Sequence, residues 1–130
     1  MKPRGHGADF ERIVAAAMTA PDPVGALRRA ARARGLDADL RARLLGADAD
    51  GLRMSALLVA RLRFERLLRG SAEAEAFYET DPAGFTATFR RYHQSVPPSA
   101  FFPREEAALW EAFRMRSRAS GATRARRRRR

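Results

Sequence analysis

The stretch RRYHQSVPPSAFFP, residues 90–103, gathers most of the groups in this chain that could meet a ligand. Arg90 and His93 stand three apart, which puts them on one face of a helix, with Tyr92 between them in sequence. Arg90, Arg91, Tyr92 and His93 are therefore candidate partner-binding residues, because guanidinium and imidazole groups beside a phenol suit a carboxylate or a phosphate. A purely structural account covers the same residues. A helix ends here, cations favour a helix C-terminus, and Tyr92 is a core aromatic with its hydroxyl at the surface. On that account Pro97 and Pro98 make the turn, and Phe101 and Phe102 anchor it to the core.

Catalytic chemistry finds little support. Histidine occurs only at positions 6 and 93, and cysteine is absent, which removes disulfides, thiolate catalysis and the usual structural zinc and iron–sulfur sites. No Ser–His–Asp or Glu-x-x-His spacing and no Gly-rich phosphate loop is present. The pairs Asp48/Asp50, Glu73/Glu75 and Glu105/Glu106 sit at helix starts, where capping accounts for them. The expectation is a non-enzyme with no metal and no cofactor.

The 130-residue chain carries a net charge of +11, unevenly spread. Residues 1–113 hold seventeen Lys and Arg against all fifteen acids, and residues 114–130 hold nine arginines and no acid. Arg118, Arg124, Arg126, Arg127, Arg128, Arg129 and Arg130 are candidate nucleic-acid-binding residues, an arm that would grip phosphate without reading sequence. No aromatic side chain is interleaved with them for base stacking. A second group, Arg53, Arg61, Arg63, Arg66 and Arg69, lies on the longest helix-forming segment. Of these, Arg53 falls inside an apolar arc and would have to snorkel, pair or face a partner.

The elements that hold these residues read as helices. Val and Ile are scarce and no alternating stretch suggests a strand. Asp9 is placed to cap a first helix, Asp22–Pro23 a second, Asp37 or Asp39 a third, Ser71 a fifth, and Asp81–Pro82 a sixth, while Pro103 opens the last. The segment from about Asp50 to Arg69 is apolar around most of its girth, with Ala56, Leu57, Ala60, Phe64, Leu67 and Leu68 on one side, as expected of a buried central helix. Phe85, Phe89, Tyr92 and Val96 form one stripe, Leu109, Trp110 and Phe113 lie on one face of the last helix, and these aromatic faces are expected to pack on the central helix. The fold expected is all-α: a single compact bundle of six or seven helices over residues 9–116. A flexible N-terminus covers 1–8, and a disordered basic tail covers 117–130. No run of eighteen apolar residues suggests a membrane span, and no clean signal-peptide core follows the basic start. With no cysteine, a cytoplasmic location is expected.

From Leu68–Gly70 onward, the order Phe85, Phe89, Tyr92, Pro97–Pro98 and Phe113 resembles a small helical family labelled a DNA-binding domain. Its members include partner proteins of multinuclear iron-dependent peptide-modifying oxidases. The resemblance covers the second half of the chain, and LRFERL only loosely echoes the family's upstream motif. It implies an all-α, non-catalytic recruiting domain and transfers no catalytic residue. The function expected is a binding or adaptor module for a protein or peptide partner, with recruitment of a peptide to a modifying enzyme as the sense the resemblance implies. The alternative is a nucleic-acid-associated protein working through its arginine tail.

Overall fold

A computed structural model describes residues 6–129. Seven helices and no strand occur among the described residues: α1 (His6–Met18), α2 (Pro23–Ala31), α3 (Ala38–Leu45), α4 (Ala49–Gly70), α5 (Ala72–Thr80), α6 (Pro82–Ser95) and α7 (Pro103–Arg128). Local chemistry sets the starts of most of them. The side chains of Asp22, Asp37, Ser71 and Asp81 accept hydrogen bonds from the backbone N–H groups of Gly25, Leu40, Ala74 and Gly84, so each caps the helix that follows. Pro23, Pro82 and Pro103 open their helices at positions whose N–H would have no intrahelical partner. Gly35, with φ 77°, takes the left-handed turn between α2 and α3.

The helices gather into two compact units, Met1–Arg61 and Leu62–Arg130, where the sequence alone suggested one bundle. The division falls inside α4, a continuous helix whose glycines, Gly51 and Gly70, lie near its ends and do not mark the boundary. In the first unit Ala17, Val24, Leu27, Ala31, Leu40, Leu44 and Leu52 form the core. Arg41 ties α3 to the end of α2 by donating from Nε to the Ala31 carbonyl at 2.8 Å. In the second unit Leu67, Ala74, Phe85, Phe89, Tyr92, Val96, Trp110 and Phe113 are buried together. Aromatic rings dominate that core and meet mostly edge-on or tilted, as Tyr92 does on Trp110 at 5.2 Å. Gly70 allows the end of α4 to meet the start of α7, since a Cβ there would lie 2.1 Å from the Pro103 carbonyl oxygen.

Three expectations about the elements change. α1 begins at His6, so Asp9 stands in its first turn and not at its cap, and residues 6–8 of the expected flexible N-terminus are helical. Residues 1–5 lie outside the described residues. The helix opened at Pro103 runs on through the expected tail to Arg128. Alanine and arginine are good helix formers, no proline interrupts them, and cations at a helix C-terminus complement its dipole. On α4, Met54, Leu57, Leu58 and Leu62 are exposed, so burial follows a narrower row than the apolar girth suggested.

Candidate binding groove and the polar network that shapes it

The second unit buries a network of polar side chains. Arg63 of α4 and Glu106 of α7 are both completely buried. Arg63 Nε donates to Glu106 Oε2 at 3.0 Å, and the Tyr92 hydroxyl makes a short hydrogen bond to the same oxygen. Arg63 also donates to the backbone carbonyls of Val96 and Pro97, just past the end of α6. Its guanidinium lies 4.2 Å from the centroid of the Tyr92 ring. Arg66 adds a second cation, with Nη2 at 3.6 Å from Glu106 Oε1. The buried Arg63–Glu106 pair is thus hydrogen-bonded through Oε2, the condition under which burial is tolerable, while among the described residues Oε1 makes no hydrogen bond and has only the Arg66 cation nearby.

His93 completes the network. Arg63 Nη1 lies 3.4 Å from His93 Nδ1. A guanidinium can only donate, so Nδ1 must be the acceptor, and the ring is neutral with its proton on Nε2. Burial, and then the adjacent Arg63 cation, hold the His93 pKa below its ordinary 6.5. The ring stacks on Phe89 with centroids 5.7 Å apart. For Tyr92, burial and the bond to Glu106 push the phenol pKa well above its ordinary value.

Of the four candidate partner-binding residues, Tyr92 and His93 are therefore engaged internally, and Arg90 and Arg91 are exposed. A carboxylate does sit beside Tyr92, but it is the protein's own Glu106. Arg53, expected within a buried arc, is exposed and paired with Asp50 at 3.3 Å. The buried arginine of α4 is Arg63. Glu106, read as a dipole-favouring acid, is buried, and its neighbour Glu105 makes the terminal contact by accepting from the Phe102 N–H at 3.2 Å. Phe101 and Phe102 do not anchor the turn. They are 83% and 67% exposed, and Ala100 is the residue tucked in.

The network bears on an open groove of about 820 Å³ between α6 and α7. One wall is Arg91, Ser95, Val96 and Pro97, and Val96 and Pro97 are the residues whose carbonyls Arg63 holds. The floor and other wall come from α7: Leu109, Ala112 and Phe113, then Arg116, Ser117, Ser120, Gly121 and Arg124. Three arginines and no acid line it. The groove thus brings Arg91, from the expected partner-binding set, together with Arg124, from the expected nucleic-acid set.

Compared with protein-family models, with curated proteins and with solved structures, the chain matches none of them. The site therefore has to be read from its own chemistry.

The remaining terminal arginines fall into distinct settings. Arg118 reaches Glu73 of α5 at 3.3 Å, where Arg114 also approaches at 3.7 Å. Arg126, Arg127, Arg128 and Arg129 are exposed at the end of α7, and Arg130 lies outside the described residues. Sequence reasoning named Arg63 and Glu106 but did not foresee their burial as a pair, and it passed over Arg116. The available signal was register: Leu52, Ala56, Arg63 and Leu67 follow helical spacing, which puts an arginine on the buried row. Arg116 was passed over because the helix was taken to end beside it.

Proposed function

We propose that this chain is a non-catalytic binding module that holds a protein or peptide partner in the α6–α7 groove of its second unit. The observation that carries the reading is the groove itself, an open trough with an apolar floor and three arginines uncompensated by any lining acid. Arginine is favoured at interfaces because its planar fork pairs bidentately with carboxylates, and an apolar floor supplies the burial that charge alone does not. The family resemblance, which implies a recruiting domain, points the same way. Recruitment of a peptide to a modifying enzyme is the finer form of the proposal.

A second reading has its own observation. The exposed run Arg126–Arg129 lies beyond the groove at the end of α7 and would attract phosphate regardless of sequence. Affinity purification from lysate of the cells that make the protein, with and without nuclease, separates the two. The groove reading expects a polypeptide retained after nuclease and lost on Arg91→Glu with Arg116→Glu. Capture that disappears with nuclease and ignores those substitutions would favour the terminal arginines.

A further inference from the structure

The groove has a shape that selects among acidic partners. Its α7 side, at 109, 112, 113, 116, 117, 120, 121 and 124, follows the three- and four-residue steps of a helical seam. That seam covers fifteen residue steps, about 22 Å at roughly 1.5 Å per residue. The opposite wall stops early, because α6 ends at Ser95 and the chain leaves as a turn. The distal seam carries only small side chains between its two arginines: Ser117, Ser120 and Gly121. A Cβ placed on Gly121 would meet no atom within 4 Å, so space lies open there.

We infer that the occupant of this groove is an acidic amphipathic helix of a partner protein, packed along the α7 seam, an inference that rests on the reading given under Proposed function. Charge complementarity carries it. Arg91, Arg116 and Arg124 surround an apolar floor, so the fitting partner has apolar residues on one face and carboxylates on both flanks. Small residues at Ser117, Ser120 and Gly121 let a second helix approach closely, whereas an extended segment would leave that space unfilled. The open trough suits a polymer lying along it better than a small molecule, which would need enclosure.

The test uses the full chain and a labelled synthetic peptide of about 16 residues, about 24 Å as a helix, built from Glu, Ala and Leu with its leucines on one face. A scrambled peptide of the same composition and a duplex DNA of similar length are the comparison probes. Fluorescence anisotropy should show the patterned peptide binding at least about tenfold more tightly than the scrambled one, a difference of about 1.4 kcal/mol. Replacing Arg91, Arg116 and Arg124 together by Gln should weaken the patterned peptide by about tenfold or more. Gly121→Phe should weaken it similarly while leaving the thermal midpoint unchanged or raised, since glycine is the poorer helix former. If the scrambled peptide binds equally well, or Gly121→Phe has no effect, the helix is the wrong occupant and the arginine-lined groove still stands as the binding site. If neither peptide binds, or the triple substitution changes nothing, both readings fall. Binding of duplex DNA alone, lost in the triple variant, would give the groove to nucleic acid and also overturn both.

Discussion

Arg63 offers five N–H donors and no acceptor, and inside the second unit these meet a carboxylate, an imidazole nitrogen and two backbone carbonyls. Removing one member of such a buried pair strands the other. Arg63→Ala or Glu106→Ala should each cost about 3–5 kcal/mol in chemical denaturation. Tyr92→Phe should cost about 1–3 kcal/mol, the scale of one lost buried hydrogen bond. Titration supplies a second expectation. Folded His93 binds its proton less readily than unfolded histidine, so below pH 6.5 the unfolded chain takes up more protons and stability falls as pH drops from there. Folded Tyr92 holds its proton more tightly than unfolded tyrosine, so stability also falls as pH rises above 10. Thermal midpoints across pH should show both flanks, and His93→Gln should flatten the acid one.

Among the elements, α7 departs furthest from expectation and gives the clearest check. Deleting residues 118–130 removes eleven residues of helix, 118–128, so the helical circular dichroism signal per molecule should drop in proportion, where a disordered tail would leave it unchanged. The core should survive this, because residues 118–129 are all exposed. Trp110→Ala and Phe89→Ala test the core directly and should each cost about 3–5 kcal/mol. Helix starts were legible because caps are short-range chemistry: Asp22, Ser71 and Asp81 each act on an N–H three residues on. The aromatic stripe was legible because four large residues repeated at helical spacing. The buried row of α4 was not, because a helix apolar on most sides leaves the choice of face to its neighbours. Nor was the groove, which needs Arg91 and Arg124 in one place, thirty-three positions apart in sequence.

For the molecule as a whole, the charge of +11 poses the main ambiguity, and the structure divides it between a groove and a helix end. Deleting residues 125–130 removes five arginines and leaves every groove residue in place. Binding to duplex DNA should then weaken for all sequences alike, with its log–log salt slope reduced by about 4–5, while the partner is kept. The central claim, that a polypeptide sits in the groove, is tested most directly by a photo-reactive benzoylphenylalanine placed in the cell at Ser95, on the α6 wall, where it leaves the small residues of the α7 seam free. The same group at the exposed Asp39 of the first unit serves as the reference. The account predicts a polypeptide adduct from position 95, absent from position 39 and abolished by Arg91→Glu with Arg116→Glu. Adducts to nucleic acid alone, or equal polypeptide yields from both positions, would contradict it.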